Sequence, residues 1–173
     1  MEIRPLEPGD KPAVEAFVKR IPEGDRTFFK EDVDDPAVRE SWTRPEGTRL
    51  LAVENGTVLG YVAVVPMQGW SSHVGEVRVI VDPEARGRGI GRALAQRAVL
   101  EALELGLTKV VVEVVADQDA TIGMFRSLGF DPEALLKGHV RDRNGELRDL
   151  IVLAHSVEEA YAAMATAGLA DNV

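Results

Sequence analysis

The chain has no cysteine among its 173 residues. That absence excludes disulfide bonds, a thiolate nucleophile and a cysteine-bound zinc. Histidine is scarce too. His73, His139 and His155 are scattered, whereas a metal centre needs converging ligands, so no metal is expected. No stretch approaches the roughly 20 apolar residues that cross a bilayer, and no membrane partner is expected. The opening residues Met1-Glu2-Ile3-Arg4-Pro5 lack the basic and apolar regions of a signal peptide, which makes the cytoplasm the expected location. Basic residues are in deficit, 20 Lys and Arg against 29 Asp and Glu, for a formal net charge of −9. Nucleic-acid binders draw affinity from basic surface that neutralises phosphates, so this balance argues against a nucleic-acid partner. It favours a cationic one, such as an amine, through long-range attraction.

What is present is ordinary for a soluble globular protein: 45% apolar and 28% charged residues. The length suits one domain, 1–173, with its own core. Residues 2–4 read as a short strand. Asp10 is placed to cap a helix with Pro12 in its first turn and Val14, Phe17, Val18 and Ile21 on one face. Glu31-Asp32-Val33-Asp34-Asp35-Pro36 breaks any helix there. It reads as a solvated loop, or as an acidic patch that attracts substrate, before a short helix near Ala37–Trp42. Thr48–Glu54 and Thr57–Val65 read as strands joined by Asn55-Gly56, which suits a type I′ turn because both central residues need positive φ.

A further strand is expected at about Val74–Val81, ended by Asp82-Pro83. The long helix at about Gly89–Leu105 would bury Ile90, Leu94, Ala98, Ala102 and Leu105, with Gly106 closing it. Lys109–Val115 has the β-branched make-up of a strand buried on both faces. Asp119 is the expected cap of a helix through Leu128. Strands near Glu133–Val140 and Glu146–Ala154 flank Asn144-Gly145, and Ser156 with Glu159 forms a capping box for a last helix, Val157–Ala167. The order β-α-α-β-β-β-α-β-α-β-β-α implies an α/β chain with one mixed sheet and helices on both faces.

The segment that carries chemistry is Arg86-Gly87-Arg88-Gly89-Ile90-Gly91-Arg92, set between a strand and a helix. Glycines let the backbone bend tightly and come close to a ligand. The helix start beyond offers unpaired N–H groups and a positive dipole end, which together suit a phosphate. Arg86, Arg88 and Arg92 add positive charge. The plainer alternative is a glycine-rich turn with surface arginines. A P-loop is excluded, because neither its Lys nor its hydroxyl is present. A Rossmann fingerprint counted from Gly87 would need a third glycine where Arg92 stands, and it would follow the first strand rather than the fourth.

The segment resembles the acyl-CoA pyrophosphate loop of the GNAT superfamily of N-acetyltransferases. That loop reads Arg or Gln, two residues, Gly, one residue, then Gly or Ala; here Arg86, Gly89 and Gly91 stand at those places. Leu128-Gly129-Phe130 is similar to the family's Leu-Gly-Phe, and the order of elements matches along nearly the whole chain. The resemblance implies a mostly antiparallel sheet splayed between its fourth and fifth strands, with acetyl-CoA in the slot. It implies that the backbone of Val79, Ile80 and Val81 pairs with the pantetheine arm. The N–H groups of Gly87, Arg88, Gly89, Ile90, Gly91 and Arg92, beside Arg86, would hold the pyrophosphate.

Two positions depart from the family pattern. Gln118 stands where many members have Asn, and Phe125 where many have the Tyr that protonates the departing thiolate. Gln118 can still hydrogen-bond the donor; Phe125 has no proton to give. For the general base, the resemblance points to Glu76, ten positions before Arg86, as in bacterial protein-lysine acyltransferases of the superfamily. Many other members carry the acid one residue earlier, where this chain has Gly75, and one residue reverses the face of a strand. A structural ion pair of Glu76 with Arg78 or Arg148 is the alternative. Glu113, Asp117 and Asp119 are lesser candidates, as is the Tyr61 hydroxyl. Trp70 could line the acceptor site, form a homodimer contact or cover a core edge. The implied activity is direct acetyl transfer from acetyl-CoA to a primary amine, on a small molecule or on a protein lysine or N-terminus. A CoA-binding sensor or scaffold without catalysis is the alternative.

Overall fold

The computed structural model describes residues 1–42 and 47–166. In chain order its elements are β1 (Glu2–Pro5), α1 (Lys11–Arg20), α2 (Pro36–Ser41), β2 (Thr48–Glu54), β3 (Thr57–Pro66) and β4 (Val74–Val81). These are followed by α3 (Ile90–Glu104), β5 (Lys109–Val115), α4 (Asp119–Ser127), β6 (Asp131–Arg141), β7 (Leu147–Ser156) and α5 (Val157–Thr166). One sheet holds all seven strands in the order β1-β2-β3-β4-β5-β7-β6. Neighbours run antiparallel except β4 and β5, which are parallel and therefore need the α3 crossover between them.

Side chains alternate across the sheet and feed two cores. On one face Leu50, Val62, Val77 and Val112 pack with Leu94, Ala98 and Ala102 of α3, with Phe125 and Phe130, and with Val157. On the other, Leu51, Tyr61 and Ile80 pack with Phe17 of α1 and with Phe29 and Trp42. Trp42 stacks on Tyr61 at a centroid distance of 4.5 Å and on Phe29 at 6.2 Å, and its indole N–H donates to Glu31 at 2.8 Å. This aromatic column ties the irregular segment between α1 and α2 onto the sheet. No helix among the described residues is long and apolar enough to cross a membrane.

Most expected elements appear within a residue or two, and the differences have local causes. Asp10 stands at the N-cap of α1 as expected, but its side chain makes no capping hydrogen bond: Arg4 takes both its oxygens at 2.6 and 2.7 Å, and it accepts from the Glu7 N–H. The N-cap of α4 is Gln118, and Asp119 is its first helical residue. Leu105 is 41% exposed rather than buried, because the α3 stripe ends at Ala102. Asn55 and Gly56 both have positive φ, 51° and 76°, as their hairpin turn requires. The acidic stretch is not wholly solvated, since Glu31 is engaged by Trp42 and by Arg78. Ser156 accepts from the Glu159 N–H at 3.5 Å at the start of α5; Ala167, expected as its last residue, lies outside the described residues.

Gly60 shows how closely α3 lies on the sheet. A Cβ there would stand 2.8 Å from Leu94 Cδ1 and 3.2 Å from the Ile80 carbonyl oxygen. Gly60→Ala is therefore expected to lower unfolding stability by about 1–2 kcal/mol through overpacking, measured by urea denaturation. An unchanged midpoint would contradict that close approach.

Candidate active site

β4 pairs with β3 from Gly75 to Val81, but with β5 only from Val74 to Val77. β5 continues to Val115 beside β7, so the parallel pair parts after Val77 and leaves one edge of β4 without a strand. Backbone groups on that edge remain able to bond a ligand. The gap opens into a cleft of about 700 Å³. It is the splay that the family resemblance implies.

At one end of the cleft stands the glycine–arginine turn. Asp82, 3% exposed, fixes the exit from β4 by accepting from Glu84 N–H at 3.1 Å and from Arg20 Nε at 2.7 Å. Gly87 and Gly89 then adopt φ of 76° and 79°, a left-handed conformation that side-chain-bearing residues rarely hold. Nothing lies within 4 Å of where a Cβ would stand on either, so the space beside this backbone is open. Gly89 is the N-cap of the fifteen-residue α3, whose first N–H groups lack intrahelical partners. Gly91 lets α3 start close to its neighbours, since a Cβ there would sit 3.4 Å from both Met124 Sδ and Val81 Cγ2. A pyrophosphate fits this open, amide-rich turn.

At the other end, charged groups meet across the split. Glu76 of β4 is 8% exposed, and its Oε1 accepts from Lys30 Nζ at 2.8 Å and from Arg78 Nε at 3.1 Å. Arg78 continues to Glu31 at 2.7 Å. Lys30 Nζ also donates to Glu113 Oε2 of β5 at 2.8 Å. Burial alone would raise the Glu76 carboxyl, but the hydrogen bonds and charges of Arg78 and Lys30 outweigh it and hold it below the usual carboxylate range. Burial would lower Lys30, yet Glu113 and Glu76 raise it.

The strand register settles which way the acid faces. A Cβ on Gly75 would stand 2.6 Å from Leu107 Cδ1, so Gly75 points to the α3 face and Glu76 to the opposite one. Of the two foreseen ion pairs, Glu76 makes the one with Arg78; Arg148 is taken by Asp117 and Asp142.

Comparison with known proteins agrees with this geometry. The sequence profile of the Acetyltransferase (GNAT) family matches residues 16–130. The chain belongs to the GNAT acetyltransferase family. Among curated relatives, a mycothiol acetyltransferase of Paenarthrobacter aurescens is 38% identical over 94 residues, 53% of this chain and 29% of that protein. One from Kocuria rhizophila is 38% identical over 97 residues, 53% of this chain and 32% of that protein. The chain thus spans about a third of the length of these relatives. A crystal structure of the ribosomal-protein-alanine N-acetyltransferase of Brucella melitensis superposes with a TM-score of 0.80 at 28% identity, over 90% of this chain and 99% of that one. A Salmonella typhimurium protein solved with its cofactor acetyl-CoA superposes with a TM-score of 0.74 at 25% identity, over 91% and 94%.

Glu76, Val79, Ile80, Val81, Arg86, Gly87, Gly89, Ile90, Gly91, Arg92, Gln118 and Phe125 all line this cleft. Arg88 stands apart, its guanidinium paired with Glu54 at 2.8 Å. Arg86 reaches Asp25 at 2.8 Å, and Arg92 donates to Ser127 Oγ at 2.7 Å. Phe125 is 1% exposed and packs edge-on against Phe130 at 5.1 Å, so it is a core residue whose ring also closes the cleft. Tyr61 belongs to the second core instead, stacked on Trp42, with burial pushing its hydroxyl well above the usual phenol range. Trp70 is 97% exposed and covers no core edge. The residue that sequence reasoning missed is Lys30, whose partners lie 46 and 83 positions away and leave no local pattern. Glu113 carried a signal, a lone charge in a β-branched run, but its meeting with Lys30 did not.

Proposed function

We propose that the chain works as a single acyltransferase domain, moving an acetyl group from acetyl-CoA to a primary amine. The amine attacks the thioester directly in a ternary complex, with no covalent enzyme intermediate. The observation that carries this reading is one continuous cleft, running from the glycine–arginine turn along the unpaired edge of β4 to Glu76. In it the N–H groups of Gly87–Arg92 hold the pyrophosphate, the backbone at Val79–Val81 pairs with the pantetheine arm, and Gln118 hydrogen-bonds the donor. N–H groups of β4 polarise the thioester carbonyl, an oxyanion-type contribution. Glu76, directly or through a water, accepts the proton that the acceptor ammonium must lose. The acceptor is a small-molecule amine or a protein lysine or N-terminus; one structural relative is named for a ribosomal-protein alanine.

The test is a thiol-release assay with acetyl-CoA against amino acids, polyamines, aminoglycosides and peptides. Release above the acceptor-free rate with at least one class is expected. No release from any of them, with acetyl-CoA binding intact by calorimetry, would favour a second reading, a CoA-binding sensor without catalysis. Phe125 is the observation behind that alternative, because its buried ring offers the leaving sulfur no proton. A thiolate is a good leaving group and can take its proton from water, so the wild type is expected to turn over. Phe125→Tyr should change kcat by less than about fivefold and lower stability by about 1–3 kcal/mol, the cost of a hydroxyl buried among apolar groups. An inactive wild type beside an active Phe125→Tyr would reverse the choice.

A further inference from the structure

We propose that Lys30 is an acetylation site in cis, its side-chain amine receiving the acetyl group of acetyl-CoA bound in the cleft. This rests on the reading of the cleft as an acetyl-CoA site. Lys30 is the one lysine that lines the cleft among the described residues. Its Nζ stands at the mouth of the split, 2.8 Å from a carboxylate oxygen on each side, Glu76 of β4 and Glu113 of β5. A primary ammonium hydrogen-bonded to the proposed base is the arrangement an acceptor must reach before attack.

The backbone supports the placement independently. Lys30 follows the 3-10 turn Gly24–Phe29 with φ of 67°, a left-handed conformation uncommon for a residue with a side chain. Phe28 and Asp25 of the same turn also line the cleft, and Phe29 anchors the turn in the aromatic column beside Phe17 and Trp42. The strained residue is thus held over the cleft by the anchored turn that precedes it, and strain of this kind gathers at functional sites. The Lys30 side chain is 45% exposed and lines the cleft in which the donor would lie.

The chemistry balances without any further reactant. One ammonium proton passes to Glu76 and on to solvent, and the neutral amine attacks the thioester carbon. The Nζ–C bond forms, the C–S bond breaks, and the electron pair leaves on sulfur. The second proton that nitrogen loses goes to the thiolate or to solvent, giving an amide and CoA. The groups that face Lys30 are Glu76 from β4 and Glu113 from β5; Arg78 of β4 shares Glu76 with it and continues to Glu31. The two carboxylates favour the protonated amine, so labelling should be slow near neutral pH and accelerate as pH rises. The product is neutral. It releases both ion pairs and leaves Glu76 held by Arg78 alone.

The experiment uses the full chain with acetyl-CoA and no added acceptor, followed by intact mass and peptide mapping over time. The expected result is one acetyl group, at Lys30, gained with a rate constant that does not change on dilution of the protein. Glu76→Gln should slow the labelling of Lys30 by at least about tenfold. Lys30→Arg, which keeps the positive charge between the two carboxylates, should abolish it. Equal labelling of Lys11, Lys19, Lys30, Lys109 and Lys137, as a heat-denatured sample would show, would overturn the proposal, and so would a rate that falls on dilution. An unlabelled chain that binds acetyl-CoA in calorimetry would overturn it and leave the cleft reading standing. Absence of acetyl-CoA binding would overturn both.

Discussion

Glu76→Gln is expected to lower kcat for an accepted amine by at least about 100-fold, the usual scale for losing a positioned general base. The KM for acetyl-CoA should stay nearly constant, because the glycine–arginine turn lies at the other end of the cleft. The pH dependence carries more information than the rate. Arg78 and Lys30 hold this carboxyl below the usual carboxylate range, so it is ionised throughout neutral pH. Any rise of turnover between about pH 6 and 9 then reports the acceptor ammonium, whose pKa lies higher, rather than Glu76. The substitution should scale the profile down without moving that limb. Loss of the limb in Glu76→Gln would mean that Glu76 itself titrates there, and a kcat within about twofold of wild type would remove it from the reaction altogether. The stability linkage has its own sign. A depressed carboxyl pKa stabilises the fold above the ordinary carboxylate pKa, and this contribution fades as pH falls through the lowered value. The stability gap between Glu76→Gln and wild type should accordingly narrow in acid, which denaturation at two pH values can measure.

Arg86→Glu combined with Arg92→Glu is expected to weaken CoA binding by about 100-fold or more. Charge-assisted hydrogen bonds contribute about 1.5–3 kcal/mol each, and about 1.4 kcal/mol is a factor of ten in affinity. Both arginines line the cleft beside the open turn, and Arg86 is half exposed, so the fold should tolerate the change. Arg86 must also release Asp25 before it can turn to a phosphate, so Asp25→Asn should not weaken binding. Arg88→Glu serves as the comparison. Its guanidinium is engaged by Glu54 away from the cleft wall, and its effect should be no more than about threefold, the weight of a screened surface charge. Equal losses from Arg88 and from the other pair, measured by calorimetry with circular dichroism as a check on folding, would show that the turn acts as a diffuse positive field. No loss from either would remove the turn from the site.

Local chemistry made most of the chain readable. The turn at Asn55-Gly56, the long helix closed by Gly106 and the β-branched run Lys109–Val115 are each decided by a few neighbouring residues, and each appears where expected. The glycine–arginine segment was legible for the same reason: a strand exit, two glycines in left-handed conformation and a helix start follow one another without interruption. Where reading by neighbours went astray, a more distant partner had prevailed. Asp10 stands at its N-cap, but Arg4 claims the carboxylate that would have capped, and the acidic stretch looks solvated until Trp42 and Arg78 claim Glu31.

The sequence by itself determined the order of elements, the family and the glycine–arginine turn, because periodicity, capping and backbone freedom act over a few residues. Only the tertiary structure decided the face and partners of Glu76. The packing of Leu107 over Gly75 sets the register, and Arg78 and Lys30 set the charge. It alone brought Lys30, Glu76 and Glu113 together, across 46 and 83 positions, at the mouth of the split between β4 and β5. Such a meeting depends on where a strand pair stops hydrogen-bonding and on an aromatic column holding a loop above the gap. Neither is a property of any short stretch of chain.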